Sequence, residues 1–193
     1  MPILTWLLQE HLHDSAIQAA WADLRCLPNP PSIMSKRIQC SIDLYPCDLL
    51  FVHRDAENEP SNNRFSEINK AVEEAKAVTE VPPAVCVVPV RMLEAWLLFD
   101  LDAIRRAAGN PHGRQSLNLP NLHNLEHLPS PKEYLHQLLR DASGLRGRRL
   151  RSFNQNSAVH RIPEYIEDFS PLRTLPAFRS LETKIAETIA SLH

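Results

Sequence analysis

Asp55 and Glu57 stand two positions apart, with His53 two positions before them and Glu94 farther along the chain. In an extended segment, residues two apart point to the same side, so Asp55 and Glu57 would converge just beyond the strand. Neighbouring carboxylates repel unless one is protonated or a cation lies between them. An all-oxygen ligand set of this kind suits Mg²⁺ or Mn²⁺, and such ions serve phosphodiester hydrolysis by activating water and stabilising the leaving oxygen. His53 beside the acids could shuttle a proton. Each feature alone also has a plainer explanation. D-x-E occurs in solvated loops that cap helices, Glu94 suits a helix N-terminus, and His53 could simply pack at a strand end.

Basic residues extend the pattern. Arg54 and Arg91 flank the acids, where they would either offset phosphate charge or pair with the acids themselves. Lys132, Arg148, Arg149 and Arg161 are further candidates for phosphate contacts. The run Arg146 to Arg151 could grip a nucleic-acid backbone or form a solvated charged turn. With a net charge of −2, the whole chain exerts no general pull on polyanions, so binding would need a local patch.

Other chemistries find less support. His123 and His127 have metal-ligand spacing but sit between Pro120 and Pro129 without a third ligand, as a surface loop would. Cys26, Cys40, Cys47 and Cys86 form no C-x-x-C pair, and the set Cys40, Cys47 and His53 matches no common zinc spacing. No serine lies in a nucleophile-elbow pattern, and no glycine-rich phosphate loop occurs. No signal peptide is recognisable and no apolar run approaches the ~20 residues that cross a bilayer. These features predict a cytoplasmic protein with no membrane contact.

The elements that would position the acids can be read around them. Leu49 to Val52 and Ala84 to Val90 are near-continuous apolar runs, as strands buried on both faces are. Between them, Phe65, Ile68, Val72 and Ala75 mark one face of a helix over about 64–78. Strand, helix, strand in this order predicts a parallel, helix-covered sheet. Ligands bind beyond the carboxyl ends of such strands, where Asp55, Glu57 and Glu94 would fall. Upstream, residues 3–13 predict a helix, 18–24 a strand carrying Trp21, and 32–44 a helix. Downstream, Asp100 caps a helix over 101–108, Ser130 and Pro131 open another, and helices are expected near 155, 163–168 and 174–191. A first helix without a preceding strand is unusual, which suggests that the numbered start lies inside the natural domain or that a partner supplies the missing strand. The expected division is an α/β domain over 1–108 with a loop and helical extension over 109–193.

Two motifs together, a strand ending in R-D-x-E and the segment L-E-A-W-L-L-x-D at residues 93–100, resemble an uncharacterised bacterial family of the TOPRIM-like superfamily. The resemblance spans about residues 1–108. It implies an α/β fold with a Rossmann-like, mostly parallel sheet of three to four strands and a C-terminal helical extension. Asp55 and Glu57 match the family's D-x-D position, with Glu replacing the second Asp, and Glu94 matches the acid of its E-A-W-L segment. The implied activity is Mg²⁺-dependent nuclease or phosphodiesterase action on nucleic acid, in anti-phage defence and beside an ABC-type ATPase partner. The expected metal ligands are Asp55, Glu57 and Glu94, with His53 assisting. The phosphate-binding candidates stay Arg54, Arg91, Lys132 and Arg161. The family's first strand and its acid have no counterpart here, since Glu10 falls inside a helix. A non-catalytic subunit of an ATPase-containing complex is the alternative, and nothing in the residues selects DNA over RNA or sets an oligomeric state.

Overall fold

The computed structural model describes residues 2–56, 59–89 and 93–192. Its centre is a pair of short parallel strands, β1 (Leu50–His53) and β2 (Ala84–Val87), in the register Leu50 to Ala84 through His53 to Val87. α3 (Ser61–Lys76) makes the crossover between them and buries Ile68, Ala71, Val72 and Ala75, the face its apolar spacing foretells. α2 (Met34–Leu44) lies against α3. Together they cover one face of the strand pair, where Leu50, Val52, Ala84 and Cys86 pack with Ile38, Ile68 and Val72.

The other face carries the larger core. Phe51, Val85 and Val87 meet side chains from α1 (Pro2–His11), α4 (Leu101–Ala107), α5 (Pro131–Ser143), α7 (Gln155–Tyr165) and α8 (Pro176–Ala190). A short helix, α6 (Gly147–Arg151), buries none of its residues. α1 forms because Ile3, Leu4, Leu7 and Leu8 fall on one side of a helix, and all four are buried. At the start of α4 the Asp100 carboxylate accepts from the Ala103 N–H at 2.9 Å. α5 has Pro131 in its first turn and ends at Gly144, whose φ of +64° suits a residue without a Cβ. Asn154 caps α7 by accepting from the Ser157 N–H at 3.0 Å. The segment Leu93–Leu97 winds as a 3₁₀ turn and drives Trp96 into the core, edge-on to Phe178 with ring centroids 5.5 Å apart.

This architecture corrects the expected Rossmann-like sheet of three to four strands. The described residues are 58% helix and 4% strand, and their sheet has two strands. Residues 18–24 form no strand; Trp21 is 66% exposed, and Leu24–Cys26 is a 3₁₀ turn. Alanine supplies much of that segment's apparent alternation, and alanine has little preference for a pleated surface. The second apolar run is strand only as far as Val87, and Val90 lies outside the described residues. The helices expected near 155 and 163 are one, α7, which accommodates Pro163 inside its last turn. β1 pairs with β2 alone, so its other edge has no strand neighbour among the described residues.

Candidate functional site

The parallel pairing continues beyond the strands. The Arg54 N–H donates to the Val87 carbonyl and the Ala56 N–H to the Pro89 carbonyl, both at 3.0 Å. Asp55 therefore sits between two backbone bonds that tie its segment to the exit of β2, and the Ala56 side chain behind it is fully buried. The alternation of strand side chains puts Phe51, His53 and Asp55 on one face. Along it, His53 Nε2 lies 3.2 Å from Asp55 Oδ1, each side chain just over a quarter exposed. The expected approach of His53 to the acid is thus present.

Glu94 lies in the turn Leu93–Leu97, the next described element after β2. The residues after it, Ala95, Trp96 and Leu97, are buried, and Trp96 and Leu97 enter the core that Phe51, Val85 and Val87 also line. The segment bearing Glu94 therefore belongs to the layer on Asp55's face of the strands. Glu94 itself is half-buried and takes part in no ion pair among the described residues. Glu57 and Arg91 lie outside the described residues.

The expected phosphate-binding residues go to different places. The Arg54 guanidinium donates to Glu67 on α3 at 3.2 Å rather than to Asp55, and Arg64 donates to the other Glu67 oxygen at 2.9 Å. Arg161 donates to the Ala107 carbonyl at 2.7 Å, closing the C-terminal end of α4. Lys132 is exposed in the first turn of α5. α5 and α7 pack chiefly on α4, on each other and on the turn at 93–97. Arg148 and Arg149 are exposed on α6.

Three interactions have no counterpart in the reading from sequence. Glu67 neutralises Arg54, and only its i,i+3 spacing from Arg64 could have drawn attention to it. Glu126 is an acid just 6% exposed, accepting from the Ala177 N–H at 3.2 Å and from the Trp96 side chain, and burial pushes its carboxyl above the usual range. Arg173 joins α1 to α8 by donating to Glu10 at 3.0 Å and Glu182 at 2.6 Å, and it lies over the Trp6 ring. Glu10 is thus committed to an ion pair between helices.

Among the described residues no group of three His, Cys, Asp or Glu side chains is placed to hold a metal ion. His53, Asp55 and Glu94 therefore do not converge on one point by themselves. A Mg²⁺ ion is nonetheless commonly held by one or two carboxylates, with water and substrate phosphate completing its shell. The pinned Asp55 carboxylate fits that kind of site. Among the described residues no helix is long and apolar enough to cross a membrane. No protein-family model matches the chain, and no curated protein or solved structure matches it.

Proposed function

We propose that the chain is a Mg²⁺- or Mn²⁺-dependent phosphodiesterase acting on nucleic acid, with its site where β1 and β2 end. The observation that carries this reading is the fixed position of Asp55, bonded through its backbone neighbours to the exit of β2 and touching His53. Asp55 and Glu94, with Glu57 beside them in sequence, are the residues that would hold the ion. When bound, such an ion supplies charge for the phosphate oxygens and acidifies a water. The chain's own part is positional. His53 orients the Asp55 carboxylate through one ring nitrogen and keeps the other for proton transfer. In the reaction, the water oxygen bonds to phosphorus, the bond to the leaving ester oxygen breaks, and the two protons pass to solvent and to that oxygen. The reading draws on the R-D-x-E and E-A-W-L-L-x-D motifs, not on a Rossmann-like sheet. It carries with it the proposals of an anti-phage role, a cytoplasmic setting and an ABC-type ATPase partner.

One observation favours a second reading. The side chains of β1 pack on both faces while one of its edges has no strand neighbour among the described residues, the arrangement of an interior strand with a place beside it. On that reading the chain is a non-catalytic subunit that receives a strand from its partner.

Cleavage of plasmid DNA and of RNA with Mg²⁺ or Mn²⁺ separates the two. Loss of a group one step removed from a metal costs about 10- to 100-fold, so Asp55→Ala and Glu94→Ala should each lower the rate by about a hundredfold or more. Cleavage unchanged in both variants would place the chemistry elsewhere, and no cleavage by the parent chain would favour the subunit reading.

A further inference from the structure

From Tyr134 to Pro163 the chain carries six arginines and a single acid, Asp141. Against a net charge of −2 for the whole molecule, this leaves the remainder acidic and this stretch strongly basic. Four of the six, Arg146, Arg148, Arg149 and Arg151, are exposed on or beside α6, and none pairs with a carboxylate among the described residues. Asp141 forms no ion pair with them among the described residues; its carboxylate accepts from Gln137 at 2.8 Å.

The fold brings more charge to the same corner. Asn110 donates to the Ala142 carbonyl at 2.9 Å, and Gln115 donates to the same carbonyl at 3.2 Å, so the loop after α4 lies over the end of α5. Arg105 fixes that loop by donating to the Gln115 carbonyl at 3.0 Å. Arg114, exposed on the loop, and Arg106, exposed in the last turn of α4, are thereby set beside the chain as it leaves α5 for α6. Arginine near a helix C-terminus is favoured by the helix dipole, which accounts for Arg106. It does not account for Arg114 in a loop or for four arginines around a helix of five residues that buries none of them. Like charges crowded without counterions oppose folding unless a polyanion offsets them.

We propose that this corner, formed by α6, the end of α4 and the loop through Arg114, binds the phosphate backbone of a nucleic-acid duplex. Arginine forks match phosphate oxygens. A single strand is a poorer fit, because strand-binding grooves stack bases on exposed aromatic rings. Phe153, the aromatic residue nearest in sequence, is half-buried against the core. A lipid surface is also a poorer fit, because α6 has no apolar face to insert beyond the half-buried Leu150. As the substrate of the Asp55 site, the duplex rests on the phosphodiesterase reading; as a ligand of this corner, it stands independently.

The test is fluorescence anisotropy of a labelled short DNA duplex, its single strand and anionic phosphatidylserine vesicles, all in EDTA so that cleavage plays no part. The duplex should bind with an affinity that falls on a log–log plot against salt, by a slope of about 0.9 per phosphate contacted. Arg148→Glu/Arg149→Glu should weaken duplex binding at least tenfold and flatten the slope, and Arg114→Glu, in a separate element, should weaken it further. Arg148→Gln/Arg149→Gln should give an intermediate loss. Thermal melts of each variant exclude unfolding as the cause. Duplex affinity unaltered by the reversals, or binding to the single strand or vesicles at least as tight, would overturn the proposal, whether or not the chain cleaves DNA.

Discussion

Glu126 shows how one side chain can tie distant elements together and reveal itself by pH. It receives bonds from Trp96 and from the first turns of α8, in a site that raises its carboxyl above the ordinary value of 4.5. A group that holds its proton more tightly in the native state makes the native state bind more protons, so stability falls as pH rises from that ordinary value through the raised one. Glu126→Gln keeps an oxygen for both donors and removes the titration. Urea melts at acidic and neutral pH should therefore show a smaller loss of stability on raising the pH in the variant than in the parent. Parallel pH profiles would show that Glu126 ionises in the native state as easily as in the unfolded chain. Nothing in the sequence marked this residue, because its partners come from segments far apart in the chain. The acid–imidazole pair was different: His53 and Asp55 are close in sequence at a strand end, and that adjacency was enough to suggest an imidazole beside the acid. The pairing of Arg54 was not legible, for the opposite reason. Its carboxylate partner, Glu67, is on the next helix, and no local rule links them.

At the scale of elements, legibility followed the length of the pattern. α1, α3 and α8 each repeat an apolar face over several turns and appeared where expected. So did the two strands, whose apolar runs are flanked by charge or proline. The segment 18–24 was too short and too rich in alanine to distinguish a strand from an exposed loop. Chain ends of helices are more sharply determined, and α5 offers a direct check. Gly144 has a φ of +64°, and a Cβ there would come 3.1 Å from the Asn110 amide nitrogen that caps the Ala142 carbonyl. Gly144→Ala should destabilise the chain by about 1 kcal/mol or somewhat more, from backbone strain and a displaced cap. The measurement is the midpoint of a urea melt, and no change in it would show that the helix end relaxes freely.

Across the whole molecule, helices from both halves of the chain close over one face of the strand pair. Ile3, Leu4 and Leu7 share a core with Leu135, Phe169 and Ile185, and Val85 and Val87 lie in it too. The sequence pointed to a sheet as the organiser because strand patterns announce themselves locally. That a two-stranded pair should be surrounded by eight described helices follows from packing between segments, which no single window contains. Trp96 sits at the junction, 1% exposed, and Trp96→Ala should cost about 3 to 5 kcal/mol and be seen as a lowered melting midpoint. Trp96 shares its core with Phe51, Val85 and Val87 of the strands, beyond whose ends Asp55 is pinned. The central claim, that Asp55 helps to hold a divalent cation there, is tested most directly by titrating Mn²⁺ into the parent chain and into Asp55→Asn, with free Mn²⁺ followed by its electron paramagnetic resonance signal. The account predicts saturable binding to the parent and binding at least tenfold weaker in the variant; equal binding by the two, or none by the parent, would contradict it.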